Sequence, residues 1–248
     1  MDSAHFHFHD ELNFFLPRRQ QDTTIEHEFS WRASIKDMIE ALGVPHTEIG
    51  LLVVNGKSVS FDYIVSGDDR IEIYPRFDTP NGTAPKIRLR PPYPGRPRFI
   101  LDQHLGRLAA YLRMLGFDTL YRNDYHDEEL AQVSHDDTRI LLTRDVGLLK
   151  RSLVIYGYYV RSTHRQRQLE EIATRYNLLT ISEPFKHCMK CNGLLEKATK
   201  ETVLPHIPAG TAARYDEFHR CLSCQRIYWK GAHYQRMQEL LDAVMNGH

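Results

Sequence analysis

The stretch from Phe99 to Leu149 alternates short apolar runs with helical patterns, and an acidic residue follows each run. The first run, residues 99–101, stops at Asp102, and the helical pattern behind it stops at Gly116. The apolar positions of this helix recur every three or four residues: Leu105, Leu108, Leu112 and Leu115. Repeated strand and helix patterns of this kind predict an α/β fold with a parallel sheet.

Two more strand patterns complete the stretch. The run 117–122 is followed by Asp124 and then by a helix start rich in carboxylates, which suit the positive end of a helix dipole. The run 139–143 is apolar enough to be buried on both faces of a sheet, and it is followed by Arg144 and Asp145. Ligands of open α/β sheets bind outside the carboxyl ends of the strands. We therefore expect the following acids to converge there: Asp102, Asp145 and one or more of Asp124, Asp127 and Glu128.

Converging carboxylates repel one another unless a cation lies between them. Carboxylate oxygens are preferred ligands of Mg²⁺ and Mn²⁺, whose remaining positions are filled by water and substrate phosphate. Such a site serves phosphoryl transfer or phosphodiester hydrolysis. The alternative for each single acid is a helix N-cap or a solvated loop carboxylate. Because an acid follows each of the three predicted strands, we favour a metal site over separate caps or solvated carboxylates for these acids taken together.

Four cysteines form two C-x-x-C pairs, Cys188 with Cys191 and Cys221 with Cys224. Four thiolates complete the closed tetrahedral shell of a structural Zn²⁺, so we expect one zinc held by all four. The 29 residues between the pairs predict an inserted hairpin or loop within a zinc ribbon. A redox dithiol is the alternative, but it would leave the second pair without a role.

Several of these segments resemble the PIN-like RNase domain of the mutator type, a family named for its place at the C-terminus of mutator exonucleases. The matching segments are RFILDQHLGRLAAYLRMLGFDTLY, HDEEL, RILLTRDVGLLKR, both cysteine pairs and YWKGAHYQRM. The resemblance implies a metal-dependent ribonuclease fold, in which Asp102 and Asp145 match catalytic aspartates and Asp127 matches the acid that opens the second helix. Many members of the wider PIN group carry another acid where this chain has Gly147.

Residues 1–77 have the pattern of a separate domain with two strands, a helix capped by Ser34, and further strands around an Asn55-Gly56 turn. This order resembles the ubiquitin-like β-grasp domain of small sulfur-carrier proteins. Carriers act through a terminal Gly-Gly, which is missing here, so we interpret the domain as an interaction or RNA-orienting module without carrier chemistry, whose partner is a protein or the ribosome. We expect its removal to leave catalysis intact.

Three histidines, His5, His7 and His9, alternate with apolar residues near the N-terminus. They are either metal ligands or one face of an exposed edge strand, and we favour the edge strand.

The predicted domain order is a β-grasp domain (1–77), a proline-rich basic linker (78–97), a PIN-like core (98–180), and a zinc ribbon with a C-terminal helix (181–248). The linker holds six of the chain's 12 prolines. Lysines and arginines after the acidic stretch predict RNA binding, with Tyr156, Tyr158 and Tyr159 as stacking partners for bases. The predicted RNA-binding residues are Arg144, Lys150, Arg151, Arg161, Arg165, Arg167 and Lys230.

Net charge does not identify a partner, because Lys plus Arg and Asp plus Glu are 32 each. No apolar run approaches the length of a membrane span and the start is no signal peptide, so we expect a cytoplasmic protein without a membrane partner. Two functions remain open at this stage. The first is a metal-dependent ribonuclease with a structural zinc, and the second is a catalytically weak or inactive RNA-binding or ribosome-associated module. A receiver-like phosphoacceptor domain is a third, weaker alternative, since Asp102 is followed by Gln103 and His104 instead of an acid.

Overall fold

A computed structural model describes residues 1–75, 87–232, 234, 235 and 239. Much of the predicted linker and most of the predicted C-terminal helix lie outside the described residues. The contacts divide the chain into two compact units, the first formed by Met1–Pro94 with Asp145–Tyr159 and the second by Gly95–Arg144 with Val160–His248. This division differs from the boundaries drawn from the sequence, because a piece of the predicted core belongs to the first unit.

The helices and strands follow one another as β1 (Asp2–Phe8), β2 (Thr24–Phe29), α1 (Ile35–Ala41), β3 (Ile49–Val54), β4 (Lys57–Ser58), β5 (Arg70–Pro75), β6 (Phe99–Leu101), α2 (Gly106–Met114), β7 (Thr119–Tyr121), α3 (Asp127–Asp136), β8 (Ile140–Thr143), α4 (Val146–Leu149), β9 (Gly157–Tyr159), α5 (Arg165–Arg175), β10 (Leu195–Ala198), α6 (Lys200–Val203), α7 (Ala209–Arg214), β11 (Phe218–Cys221) and β12 (Ile227–Trp229). The chain is thus of mixed α/β class, as predicted. No described helix is long and apolar enough to cross a membrane.

The first unit is built on a five-stranded sheet with the order β2-β1-β5-β3-β4. Apolar side chains of β1 and of α1 are buried in its core, among them Phe6, Phe8 and Ile39. Ser34 caps α1 by accepting a hydrogen bond from the backbone N–H of Asp37, as predicted. The Asn55-Gly56 turn is also confirmed, since both residues have the positive φ that a tight hairpin turn requires.

The prediction that the histidines lie on an edge strand is wrong. β1 is a central strand, antiparallel to β2 on one side and parallel to β5 on the other. The error arose because β5 is more than sixty residues away in sequence, so its pairing leaves no local signal.

The segment Asp145–Tyr159 packs within the first unit through buried polar groups. The carboxylate of Glu48, which is fully buried, accepts a hydrogen bond from the backbone N–H of Tyr159 at 2.7 Å. The ring of His46 is within 3.0 Å of the carbonyl oxygen of Val154, and Lys150 Nζ donates to the carbonyl of Glu40. The segment that Asp145 begins is therefore held by the N-terminal residues.

In the second unit, β6 lies between β7 and β8 and is parallel to both. α3 contacts β6 and β8, and α2 contacts α5. α2 ends before Gly116, which has a φ of +86° and approaches the backbone of Glu183 so closely that a Cβ would lie 1.9 Å from its carbonyl oxygen. The predicted glycine stop is thus also a point of close packing.

A three-stranded antiparallel sheet, β10-β11-β12, forms the ribbon at the C-terminal end of this unit. The insertion between the cysteine pairs contains α6, a 3₁₀ turn at Leu204–His206 and α7. The predicted hairpin is present, since β10 and β11 are consecutive and antiparallel, but the connection between them contains short helices where a plain loop was expected.

Candidate functional site

Asp102 lies directly after β6 and is 8% exposed. It caps the 3₁₀ turn Gln103–Leu105, and the backbone N–H of Gln103 donates to its Oδ1. The hydroxyl of Thr143, at the end of β8, donates to its Oδ2 at 2.9 Å. Two donors from separate elements therefore fix the orientation of this carboxylate.

Asp145 is exposed and precedes α4. Its Oδ1 accepts a hydrogen bond from the backbone N–H of Leu148 at 3.1 Å, which makes it the N-cap of that helix. In sequence it comes two residues after Thr143. This hydrogen bond orients a carboxylate that lies at the surface.

The predicted acids near the second helix, Asp124, Asp127 and Glu128, are all exposed. Asp127 is the first residue of α3 and Glu128 the second. Asp124 forms an ion pair with Arg122, whose Nε lies 3.1 Å from Asp124 Oδ1. Among the described residues, two sets of His, Cys, Asp or Glu side chains have all their ligand atoms within 4.8 Å, and the predicted acids belong to neither.

One of these two sets is formed by the four cysteines, with every sulfur within 4.8 Å of the others. Cys188 Sγ lies 3.6 Å from Cys224 Sγ, and Cys191 Sγ lies 3.5 Å from Cys221 Sγ. Tetrahedral zinc with Zn–S bonds of about 2.3 Å requires sulfurs about 3.8 Å apart. The arrangement therefore fits a closed, four-thiolate zinc site, and each pair contributes one buried and one exposed cysteine.

The crowding of these thiols also favours a cation. Desolvation, together with hydrogen bonds to the neighbouring cysteines, raises the pKa of Cys191 to about 12. Although burial alone would raise the pKa of Cys188, hydrogen bonds from the Tyr228 hydroxyl and from backbone amides lower it to about 7. The thiol of Cys188 therefore ionises more easily than an ordinary cysteine, and the thiol of Cys191 less easily. A bound Zn²⁺ would stabilise all four thiolates together.

The loop between Cys188 and Asn192 is attached to the α/β core of the second unit by buried polar contacts. Arg113, 4% exposed, donates from Nη1 to the carbonyls of Met189 and Lys190 at 3.2 and 3.1 Å. Asn192 donates to Asp118 Oδ1 at 2.6 Å and accepts from the backbone N–H of Thr119 at 2.9 Å. The loop between Cys188 and Asn192 is therefore positioned by the α/β core as well as by its own fold.

Asp118 also makes a two-pronged ion pair with the buried Arg139, at 2.9 Å for each nitrogen–oxygen contact. Burial alone would raise the pKa of Asp118, but hydrogen bonds from Arg139 and Asn192 outweigh it and the pKa is lowered from 3.8. Because the folded-state pKa is lower than the unfolded-state value, this group stabilises the fold above about pH 4. That stabilisation is lost as the pH falls through the folded-state pKa.

We expect Asp118→Asn to lower the free energy of unfolding by roughly 3 kcal/mol at pH 7, because the buried Arg139 then keeps only Asp137, which is 48% exposed, as its counter-charge. The difference from wild type should shrink as the pH falls towards 3. Thermal melts of both proteins at pH 7, 5, 4 and 3 test this expectation. Asp216→Asn is the control, since Asp216 pairs with Lys200 while being 86% exposed. A pH-independent difference at position 118 would contradict the assignment.

The structure places the predicted RNA-binding cations in different surroundings. Arg144 donates to the carbonyls of Val160, Arg161 and Ser162, so it ties β8 to the following chain. Lys150 contacts the Glu40 carbonyl, and Lys230 pairs with Glu217 at 3.0 Å. Arg151 and Arg161 are half-buried, while Arg165 and Arg167 in the first turn of α5 are exposed.

The prediction that a set of tyrosines stacks on RNA bases is wrong for two of its members. Tyr156 and Tyr158 are 5% and 3% exposed, and the hydroxyl of Tyr156 donates to the carbonyl of Pro91 at 3.1 Å. Tyr159 is half-buried and its ring lies 5.5 Å from that of Phe15. These rings pack within the first unit because the segment belongs to it.

The second set of metal-capable side chains is His7, His9 and Glu72. His7 lies opposite Glu72 in the parallel pairing of β1 and β5, and His9 Nε2 is 2.6 Å from Glu72 Oε2. The ring of His9 stacks on Tyr74 at 4.1 Å. The hydrogen bond to Glu72 and the stacking on Tyr74 account for the position of the His9 ring without a ligand.

Sequence reasoning missed Thr143, Arg113 and Asn192. Thr143 lies within an apolar strand pattern, and Arg113 lies on a helix whose pattern is amphipathic. Asn192 directly follows a cysteine. A polar residue at the last position of a buried strand was the one usable signal, and it pointed to Thr143.

A β-grasp domain, a parallel α/β core and a four-cysteine ribbon define a modular α/β protein whose ribbon is compatible with zinc. Residues 97–241 match the family model of the Mut7-C RNAse domain, and residues 1–80 match that of the Mut7-C ubiquitin domain. Since the first match covers more than half of the chain, the chain belongs to the Mut7-C RNAse domain family. Both family resemblances and the fold class are thereby confirmed, and membership indicates a nuclease-type function. Among curated proteins and among solved structures, nothing matches the chain.

Proposed function

We propose that the protein is a metal-dependent ribonuclease that hydrolyses RNA phosphodiester bonds. The observation that best supports this function is the position of Asp102. Its carboxylate is nearly buried at the end of the central parallel strand, where Thr143 and Gln103 hold it by hydrogen bonds. A carboxylate at this edge of a parallel sheet is where such folds bind ligands. Membership in an RNase domain family supports the same conclusion.

Asp102, Asp127 and Asp145 would hold Mg²⁺ or Mn²⁺, with Asp124 and Glu128 as extra acids. Carboxylate oxygens are donors that Mg²⁺ prefers, and the ion binds through as few as one or two carboxylates while it keeps several waters. When bound, the ion lowers the pKa of water and offsets charge on the phosphate. Thr143 and Gln103 orient Asp102, and the Asp145 carboxylate is oriented by the first turn of α4.

Substrate RNA would be held by cations separate from the acids. Arg165 and Arg167 are the best supported of the predicted residues, because both are exposed on the first turn of α5. Contacts of such side chains to phosphate release counterions, so binding should weaken steeply with salt. The four thiols of the zinc ribbon suit a reducing compartment, and we place the protein in the cytoplasm.

The test is cleavage of labelled single-stranded and structured RNAs by the full chain after addition of Mg²⁺, Mn²⁺ or Ca²⁺. Cleavage with Mg²⁺ or Mn²⁺ but not Ca²⁺ supports the proposal. Binding without cleavage under all conditions would favour the second candidate, a catalytically inactive RNA-binding or ribosome-associated module. The glycine at position 147, where many PIN proteins carry an acid, is the observation that keeps this candidate open.

The ubiquitin-like domain is proposed to contact a protein or ribosome partner, as its family suggests. Its contacts with Asp145–Tyr159 support a second role. Because Glu48 and His46 hold this segment, and Asp145 begins it, the domain would also steady a catalytic acid. This revises our expectation that its removal leaves catalysis intact.

We therefore expect Glu48→Ala in the full chain to lower the free energy of unfolding by about 1 to 3 kcal/mol, because the backbone N–H of Tyr159 loses its buried acceptor. Cleavage should fall as well, whereas Glu48→Gln, which keeps an acceptor oxygen, should restore most of it. Melting temperature and initial cleavage rate are the measurements, with the exposed Glu28→Ala as control. Unchanged cleavage by a destabilised Glu48→Ala protein would contradict the positioning role.

A further inference from the structure

The second unit contains a groove of about 810 Å³ between α2, α7 and the ribbon. Its walls include Met114 from α2, Arg214 from α7, Leu195 from β10 and Trp229 from β12. The volume is in the range of sites that enclose small organic molecules or single nucleotides. None of the predicted catalytic acids lines it, so it is a site separate from the one described above.

Aromatic side chains are concentrated in this groove. Five of the described lining residues are aromatic: Phe185, Tyr215, Tyr228, Trp229 and Tyr234. Several are held in place, since Phe185 stacks on Tyr234 at 4.9 Å and the Tyr228 hydroxyl lies 3.0 Å from Cys188 Sγ. Phe185 also stacks on His219 at 4.7 Å, so its own faces are covered and it serves to hold Tyr234 in place. Rings held in this way can stack on a ligand with little loss of conformational entropy on binding.

The charges of the groove are of one sign. Lys190, Arg214 and Arg226 line it and are exposed, and none of the described lining residues is an aspartate or glutamate. Other lysines of the same region are paired with acids, as Lys186 is with Glu183 and Lys200 with Asp216. The cations of the groove form no ion pair with described residues, so their charge is available to an anionic ligand.

We propose that this groove binds single-stranded RNA, with bases stacked on its aromatic rings and phosphates held by Lys190, Arg214 and Arg226. Aromatic platforms beside a cationic track are the combination that binds single strands, because every base has a face to stack and every linkage a charge. A duplex keeps its bases paired and would not fill the groove. The proposal rests on the proposed ribonuclease function and specifies single-stranded RNA as the substrate form.

Two tryptophans, Trp31 and Trp229, allow binding to be observed at the groove itself. Trp31 lies in the first unit and is 70% exposed, so Trp31→Phe leaves Trp229 as the sole reporter. We expect a single-stranded RNA of about twelve nucleotides to quench its fluorescence, and a duplex of the same sequence to quench it far less. The experiment uses the full chain carrying Trp31→Phe and Asp145→Asn, so that cleavage does not interfere.

Affinity is measured in parallel by fluorescence anisotropy with the same labelled RNAs. Tyr215→Leu should weaken single-strand binding about five- to a hundredfold through the lost stacking. Arg214→Ala should reduce the slope of log affinity against log salt by about 0.7, the value for one phosphate contact of a single strand. Lys197→Ala, an exposed lysine of β10 outside the groove, is the matched control and should change neither quantity.

The outcomes separate this proposal from the catalytic one. Quenching and groove-dependent affinity without cleavage by the unmutated chain would sustain the groove and refute the nuclease. Cleavage that is unaffected by Tyr215→Leu and Arg214→Ala, with no quenching of Trp229, would overturn the groove and leave the nuclease standing. Equal affinity for single strand and duplex would also overturn it.

Discussion

Asp145→Asn is expected to reduce RNA cleavage by about a hundredfold or more while leaving the fold intact. The substitution removes a ligand charge but preserves shape, and loss even of an outer-shell partner of a metal site typically costs 10- to 100-fold. Folding should survive because Asp145 caps α4 through Oδ1, and the amide oxygen of asparagine is an equally good cap. Initial rates with labelled RNA, together with melting temperatures, measure both effects.

Asp102→Asn is expected to abolish cleavage, but it is also expected to lower the stability of the fold. Both carboxylate oxygens accept hydrogen bonds, one from Gln103 and one from Thr143. An asparagine can accept from one donor, but its NH₂ group would face the other. Asp145→Asn is therefore the cleaner test of catalysis.

Asp136→Asn is the matched control, because Asp136 is an exposed acid at the end of α3 and outside the proposed site. It should cleave like wild type. RNA binding by Asp145→Asn should persist and remain salt-dependent, because affinity comes from lysines and arginines and not from the acids. Equal cleavage by wild type and Asp145→Asn would defeat the catalytic assignment and point to a contaminating nuclease.

The second large effect concerns zinc, of which we expect about one per chain, held by all four cysteines. The double variant Cys188→Ser, Cys221→Ser removes one thiolate from each pair, including both buried sulfurs. Zinc content should fall from about one to near zero, and the ribbon should lose its fixed structure. The metal contributes on the order of 10 kcal/mol or more to small zinc domains, so packing alone should not keep the ribbon folded.

Elemental analysis of protein prepared without chelators gives the zinc content, and limited proteolysis reports the order of residues 188–229. Ser223→Ala is the control, because it alters a hydroxyl beside Cys224 without removing a ligand. Zinc-free wild-type protein, or full zinc occupancy in the double variant, would refute the assignment. A redox dithiol would appear instead as an oxidant-dependent disulfide.

Features with local causes were predictable from the sequence. The Ser34 cap, the Asn55-Gly56 turn and the Gly116 stop depend on hydrogen bonds and backbone angles within a few residues, and all three are present. The spacing of the cysteines limits how their sulfurs can be arranged, and the four do come together. The strand and acid pattern of residues 99–145 likewise indicated a parallel sheet with Asp102 directly after a strand.

Tertiary structure alone decided the features that depend on partners distant in the chain. β1 became a central strand through pairing with β5, and Tyr156 and Tyr158 became buried because their segment packs in the first unit. The attachment of the cysteine loop by Arg113 and Asp118 joins residues more than seventy positions apart. Sequence patterns report which side chains leave water and which angles the backbone prefers. Sequence patterns do not show which distant part of the chain a side chain packs against, because that contact depends on the packing of the whole unit.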